Sequence, residues 1–406
     1  MRYIDFVDLD YRPSDSDVIC DFHVVPRGIS LKEAMGGVAA ESSIGTWTEL
    51  TTVKPYVERL HSTVFQVKGN DFKIAYSIEL FEPGNMPNIL SSIAGNVFGL
   101  DALESLRLND IKFPESLVGS FEGPMYGIEG IRELLMLKDR PLVGAIIKPK
   151  LGLRTDDHAK VAYDAWSGGC DIIKDDENLS NQRFNLFGER LVKTLEMRDR
   201  AEEETGERKV YMVNVTAETN DMLRRAEMVE DQGGRYMMVD ILTCGWSALQ
   251  TLRNRELKLV IHAHRAGHAA FTRSHSHGIH MRVIAKVARI IGVDQMHVGT
   301  AVGKMSETKD EVLDNIEALK GPINGLRQVL PVASGGLHPG LVPDLIEIFG
   351  VDFVIQAGGG IHGHPDGSVA GARAMRQSVD AALHGVALKE YAREHAELAK
   401  ALETWP

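Results

Sequence analysis

The sequence predicts a two-domain α/β chain: an α+β domain over residues 1–122, then a (β/α)8 (TIM) barrel over residues 123–406. Three observations predict it. Eight short apolar runs recur after residue 141, and strands buried on both faces read as continuous apolar runs. Amphipathic helical stretches separate them at even spacing over about 240 residues, which suits a barrel better than its rival, a doubly wound open sheet. Before residue 110 the texture differs, with period-2 strands and a hairpin signal.

In the first domain, residues 17–25 predict a strand in which Val18, Cys20, Phe22 and Val24 alternate with polar positions. Residues 31–40 predict a helix. Residues 62–68 and 71–78 predict two strands joined by Gly69-Asn70. Residues 88–98 predict a second helix. These pieces describe an open antiparallel sheet covered by helices. The stretch 120–130, with three glycines and Pro124, reads as the connection between domains.

The eight apolar runs of the second domain are 143–148, 170–174, 210–215, 236–241, 259–264, 294–299, 329–334 and 353–358. Between the first two, Thr155 or Asp156 is placed to cap a helix carrying Val161, Ala162, Ala165 and Trp166 on one face and stopped by Gly168-Gly169. Another helix starts near Thr308, sets Val312, Ile316 and Leu319 on one face, and ends at Gly321.

Composition narrows the function. Of 406 residues 44% are apolar and 25% charged, which excludes disorder, collagen and coiled coil. With 45 basic and 57 acidic residues the net charge is −12, which argues against nucleic acid or a membrane surface as partner. Local lysines still leave an anionic small molecule open. Cys20, Cys170 and Cys244 match no zinc spacing and predict a reduced cytoplasm. The N-terminus lacks a basic-then-apolar leader, and no run of 18 apolar residues occurs.

Chemistry in a barrel gathers at the C-terminal ends of the strands. Here those ends carry Lys148 and Lys150; Lys174-Asp175-Asp176-Glu177; Asn214; Asp240; His262, His264 and Arg265; His297; Ser334-Gly335-Gly336; and Gly358-Gly359-Gly360. Strand alternation points Lys174 and Asp176 inward together, and Glu177 joins them if the strand end turns. Two carboxylates with waters and substrate oxygens suit Mg²⁺. The lysine is the misfit, since an ammonium cannot ligate a metal. Lys148 and Lys150 beside it are expected to depress its pKa by like-charge repulsion. A neutral amine reacts with CO2 to give a carbamate, an anionic oxygen ligand. The glycine turns after the last two runs suit phosphate held by backbone N–H groups. Arg265 and His297 are placed to clamp a second phosphate, so the expected substrate is a small bisphosphate. GTAVGK (299–304) reads as a mobile lid carrying Lys304, and is not a Walker A loop. Six histidines between His262 and His280 do not predict zinc: only His262 and His264 share strand parity, and no HExxH occurs.

GAIIKPKLGL (144–153), GGCDIIKDDEN (168–178), HAHRAGHAAFTR (262–273), HVGTAVGK (297–304), PVASGGLHPG (331–340) and QAGGGIHGHP (356–365) resemble the large subunit of ribulose-1,5-bisphosphate carboxylase/oxygenase (RuBisCO). AAESSIGTWTEL (39–50) and GNVFGLDALESLRL (95–108) extend the resemblance to the first domain. HAAFTR, SGGLHPG and the short C-terminus resemble the archaeal form III type. The resemblance implies a ferredoxin-like first domain and Mg²⁺-dependent carboxylation of ribulose 1,5-bisphosphate, with O2 competing for the same enediolate. It implies that Lys174 is the carbamylated lysine, activated by CO2, and that Asp176 and Glu177 are the other metal ligands. Lys148 matches the lysine that delivers the final proton, His264 a catalytic histidine, and Lys304 the lysine that stabilises the new carboxylate. Lys150, Arg265, His297, Ser334, Gly335, Gly336, Gln356, Gly358 and Gly359 match substrate-binding positions. Glu41, Thr46, Trp47 and Asn96 match residues that a second subunit lends to the site. A homodimer, or an assembly of dimers without a small subunit, is therefore the expected active unit. Ile146 departs from a plant-type threonine, Met305-Ser306-Glu307 from the usual Leu-Glu-Gly, and the longer C-terminal tail is missing. The alternatives are a RuBisCO-like enolase or isomerase of a related sugar or methylthio phosphate, and a non-catalytic sugar-phosphate sensor.

Overall fold

The computed structural model describes residues 2–303, 307–323 and 325–406. Thirteen strands form among them: β1 (Val18–Pro26), β2 (Thr63–Lys68), β3 (Asp71–Tyr76), β4 (Leu103–Lys112), β5 (Leu142–Ile146), β6 (Ile172–Lys174), β7 (Val210–Asn214), β8 (Tyr236–Asp240), β9 (Val260–His264), β10 (Gly278–Ile279), β11 (Gln295–His297), β12 (Leu330–Ser334) and β13 (Val354–Ala357). The chain divides into two compact units.

The first unit comprises Met1–Glu122, Gly267–Ile291 and Pro322–Leu326. Its sheet has the order β10-β4-β1-β3-β2. Strand β1 runs antiparallel to both β3 and β4, and it buries Val18, Cys20, Phe22 and Val24 as its alternation predicts. The β2–β3 turn places Gly69 at φ +61°, a conformation that favours glycine. The helix Leu31–Glu41 starts on a capping box between Ser30 and Glu33 and buries Ala34 through Ala40.

One local expectation fails here, and one strand had no counterpart in the sequence pattern. The helix expected over 88–98 is a helix Met86–Ile93, closed by Ala94 N–H donating to Leu90 O, and then a separate 3-10 turn Asn96–Gly99. Strand β4, at ten residues, escaped the sequence pattern altogether. Its register against β1 shifts at Glu104 and again at Asn109, so the buried apolar positions change parity from Leu103 to Leu106 and Leu108 and back to Ile111, and no single period-2 run marks the strand. The helix Met281–Ile291 packs on β4, and Lys286 Nζ donates to Asp110 Oδ1 at 2.5 Å.

The second unit holds a closed eight-stranded barrel of order β11-β12-β13-β5-β6-β7-β8-β9, all neighbours parallel. Each strand falls on one of the eight apolar runs. The helix Gly127–Leu135 begins inside the stretch expected to be a plain connection. It packs Ile128, Ile131 and Leu135 against Leu142, Ile172, Val210, Tyr236, Val260, Leu330 and Val354, which open their strands. This apolar cluster fills the N-terminal end of the barrel and leaves the polar residues to the C-terminal end.

The helix Thr155–Ser167 buries Ala162, Ala165 and Trp166 and ends at Gly168. Its N-cap is Arg154, with no side-chain cap, so neither Thr155 nor Asp156 caps it. Thr155 instead donates from Oγ1 to Asn185 Oδ1 at 3.2 Å. The helix Lys309–Lys320 does use Thr308, in a capping box with Glu311. No helix among the described residues is long and apolar enough to cross a membrane, and Cys20, Cys170 and Cys244 are all unpaired.

Candidate active site

Strand β6 sets the centre of the site. Its last residue, Lys174, is fully buried; Nζ donates to Asp175 O at 2.7 Å and lies 3.6 Å from Glu177 Oε2. Burial pushes this amine below the ordinary lysine value, and Glu177, Asp176, Asp240 and Asp175 pull against it. The expected cause, repulsion from Lys148 and Lys150, is not the operative one. Both amines are engaged elsewhere: Lys148 Nζ donates to Asp176 Oδ2 at 2.8 Å, and Lys150 Nζ to Asn178 Oδ1 at 3.1 Å. For Glu177, burial alone would raise the pKa, but Lys174 and His264 outweigh it and hold the carboxyl below its usual value.

Alternation turns the intervening Asp175 away from Lys174, into a buried polar network. Its carboxylate accepts from Tyr211 OH at 2.6 Å, from Arg190 Nε at 3.2 Å and from Asn214 N at 3.1 Å, and His158 Nε2 lies 3.1 Å away. Arg190 comes from the helix Phe187–Thr205 and His158 from the helix Thr155–Ser167. The strand end is thereby pinned on its outer side, with Lys174 and Asp176 on the other. Asn214, ending β7, donates from Nδ2 to Glu177 O and Leu179 O, both at 3.0 Å, and fixes the turn that carries Glu177. The sequence reading assigned no role to His158, Arg190 or Tyr211. Parity alone could have flagged Asp175, whereas its partners sit on other elements.

Strands β8, β9 and β11 supply a second group. His264 Nδ1 donates to Asp240 Oδ1 at 2.6 Å, and its Nε2 faces Glu177 Oε2 at 3.6 Å. His297 Nδ1 lies 2.6 Å from Ser334 Oγ. The His297 ring meets His262 and His264 edge-on, with centroids 4.7 and 4.9 Å apart. Burial drives both His262 and His297 well below the ordinary histidine range, so both are neutral near pH 7. His262 pairs with Gln295 at 3.0 Å.

The glycine turns close the ring. Gly335 and Gly336 adopt φ +122° and +73°. A Cβ on Gly358 would lie 3.1 Å from Lys148 Cε, so the Lys148 stem runs close over this bare backbone. Gly359 has open space where a side chain would stand. Gln356 is wholly buried, and neither end of its amide has a hydrogen-bond partner among the described residues. Burial lowers His362, whose environment also includes Lys148, to about 4. Arg265, at the end of β9, makes an ion pair with Glu307 at 2.5 Å. Lys304 lies outside the described residues.

Lys148, Lys150, Lys174, Asp176, Glu177, His264, Arg265, His297, Ser334, Gly335, Gly336, Gln356, Gly358 and Gly359 all belong to the barrel unit. Glu41, Thr46, Trp47 and Asn96 belong to the other. There, Glu41 ends its helix and accepts from Tyr3 OH at 2.7 Å. Thr46 and Trp47 line a cavity of about 290 Å³ with Tyr3 and Glu33, Trp47 being 82% exposed, and Asn96 is exposed on its 3-10 turn.

Among the described residues no three His, Cys, Asp or Glu side chains converge as metal donors. The donor set at the end of β6 is two carboxylates and one buried amine. It fits Mg²⁺ only if that amine becomes an anionic oxygen donor.

Two family models match this chain. "Ribulose bisphosphate carboxylase large chain, catalytic domain" covers residues 127–405, and "Ribulose bisphosphate carboxylase large chain, N-terminal domain" covers residues 5–117. The chain is 51% identical over 409 residues to a ribulose bisphosphate carboxylase of Pyrococcus furiosus, spanning 99% of this chain and 97% of that one. It is 49% identical over 426 residues to one from Methanocaldococcus jannaschii, spanning 99% and 100%. The solved octameric enzyme of Pyrococcus horikoshii OT3 is similar with TM-score 0.97 and 50% identity, over 100% of this chain and 97% of that one. A dimeric archaeal Rubisco from Hyperthermus butylicus is similar with TM-score 0.93 and 46% identity, over 99% of each.

Proposed function

The chain belongs to the ribulose bisphosphate carboxylase large-chain family, and from that premise we propose that it adds CO2 to ribulose 1,5-bisphosphate to give two 3-phosphoglycerates. The observation that carries this reading is the cluster ending β6, where a buried lysine amine lies 3.6 Å from the Glu177 carboxylate with Asp176 beside it in sequence. As an ammonium Lys174 would repel a cation. As a carbamate, formed when its nitrogen bonds the carbon of an activating CO2 and releases a proton, it supplies the third anionic donor with Asp176 and Glu177. When bound, Mg²⁺ supplies Lewis-acid polarisation of the substrate carbonyl.

The chain's own groups account for the remaining chemistry. The Lys174 carbamate takes the C3 proton, and Lys148 and Lys150 hold the negative charge of the resulting enediolate. CO2 bonds to C2, and Lys304 neutralises the new carboxylate. Water adds at C3, the C2–C3 bond breaks, and Lys148 returns a proton to C2. His264 is fixed by Asp240 with Nε2 toward Glu177, the geometry of a proton-handling histidine. Gly335, Gly336, Gly358 and Gly359 offer backbone N–H groups to one phosphate, while Arg265, His297 and Ser334 take the other; Gln356, buried with both ends of its amide unpaired among the described residues, is a further substrate-binding residue. O2 competes for the same enediolate, so oxygenation accompanies carboxylation.

Glu41, Thr46, Trp47 and Asn96 complete the site of a second copy, making a homodimer the minimum active unit, with larger assemblies built from dimers and no small subunit. The working compartment is the cytoplasm, in keeping with three unpaired cysteines. The deciding assay supplies ribulose bisphosphate, Mg²⁺ and labelled bicarbonate. Labelled 3-phosphoglycerate is expected. A product that keeps five carbons and no label would instead favour an enolase or isomerase.

A further inference from the structure

Arg265 ends β9 with its guanidinium buried, and the anion it holds is one of the chain's own. Its Nη2 contacts Glu307 Oε1 at 2.5 Å, and both side chains are largely buried. Nη1 is buried with no hydrogen-bond partner among the described residues. His297 Nε2 is in the same condition, and the Arg265 charge contributes to holding His297 neutral. One half of the fork is thus occupied by a carboxylate while the other half, and a neutral histidine nitrogen, have donor or acceptor capacity to spare.

The carboxylate is held in place from below and behind. Glu307 directly precedes Thr308, whose capping box with Glu311 anchors the start of the helix Lys309–Lys320. Gly299, at φ +96°, forms the floor. A Cβ there would come 3.3 Å from the Glu307 carboxyl carbon and 3.4 Å from Arg265 Nη2, so the pair sits directly on backbone. A carboxylate and a phosphate offer a guanidinium the same bidentate geometry, so the two are mutually exclusive on the same face of Arg265.

We propose that Glu307 is an internal competitor for the substrate: its carboxylate occupies Arg265 in the free enzyme, and a phosphate of the bisphosphate must displace it to bind. This rests on the assignment of Arg265 as a phosphate-binding residue. It makes Glu307 a residue that sets substrate affinity without touching the reacting carbons. It also implies that the pair opens in favour of a dianion and stays closed against weaker monoanions, so the site selects for phosphate esters.

The test is E307Q, nearly isosteric and uncharged, in the full-length chain. Binding of inorganic phosphate is measured by calorimetry, and KM for ribulose 1,5-bisphosphate by carboxylation. Both Kd and KM are expected to fall by at least about threefold, the lower bound for freeing a largely buried guanidinium from its carboxylate. Because E307Q leaves a buried guanidinium unpaired, phosphate is also expected to raise its melting temperature more than that of wild type. E307D, which keeps the charge on a shorter arm, should fall between the two. Unchanged or weaker phosphate binding by folded E307Q overturns the competition, and weaker binding would make Glu307 a support that positions Arg265. The phosphate measurement does not depend on turnover. Tighter phosphate binding without any carboxylation therefore sinks the carboxylase reading and leaves the competition standing, while carboxylation with unaltered phosphate affinity does the reverse.

Discussion

Replacing Asp171 by Asn should destabilise the barrel far more than its single charge suggests. Asp171 precedes β6 and is wholly buried. Its two oxygens accept from Arg140 Nη1 and Nη2, both at 2.7 Å, and Oδ2 also accepts from Val143 N at 2.8 Å. Arg376 Nη1 stands 3.7 Å off, and Lys209 adds a further positive charge nearby. Asn can still accept from Val143, but its Nδ2 then faces a guanidinium, donor against donor. Arg140 is left buried with no carboxylate. Breaking a buried pair in this way costs about 3–5 kcal/mol. The assay is guanidinium-induced unfolding of wild type, D171N, R140M and the double variant, read by far-UV circular dichroism. If the stranded guanidinium is the cause, D171N should cost much less in the R140M background. A loss below about 1 kcal/mol, or an equal loss in both backgrounds, would refute the reasoning.

The same residue gives a pH dependence with a definite sign. Burial alone would raise the pKa of Asp171, but Arg140, Arg376 and Lys209 override it and hold the carboxyl below its ordinary value. A folded pKa below the unfolded value, about 3.9, means that the stabilisation is fully present above that pH. It is lost as pH falls through the folded pKa. The stability gap between wild type and D171N should therefore be constant at neutral pH and narrow under acid.

Three other outcomes follow from the site. Preincubation with CO2 and Mg²⁺ should raise carboxylase activity, and Lys174→Ala should remove it; full activity at once from CO2-free enzyme would contradict the carbamate. Lys304→Ala should still exchange the C3 proton of ribulose bisphosphate with solvent while fixing almost no CO2, whereas a parallel loss of both would make Lys304 a general binding residue. Asn96→Ala and Lys174→Ala homodimers should each be nearly inactive, yet co-expressed chains should regain about a quarter of wild-type activity, since half the dimers are mixed and carry one intact site. Verified heterodimers with no recovery would place the whole site within one chain.

The barrel was legible because its cause is local. A strand covered on both faces must be apolar along its whole length, and each of the eight runs became a barrel strand. The chemistry of the strand ends was legible for a similar reason: two-residue alternation put Lys174 and Asp176 on one side and Asp175 on the other, and the structure keeps that parity. Strand β4 was not legible, because two register shifts against β1, at Glu104 and Asn109, flip the parity of its apolar residues within ten positions. The cause of the low Lys174 pKa was not legible either. Adjacent lysines are visible in a sequence, but burial and the engagement of Lys148 with Asp176 are properties of a packed interior. Distance along the chain hides the rest. Asp175 meets Arg190 fifteen residues on and Tyr211 thirty-six on, and Arg265 meets Glu307 at a separation of forty-two. Periodicity reports which face a residue takes on its own element. Which opposite charge waits on that face is decided only when the elements close around one another and exclude water, and there the ion pairs that govern this site are made.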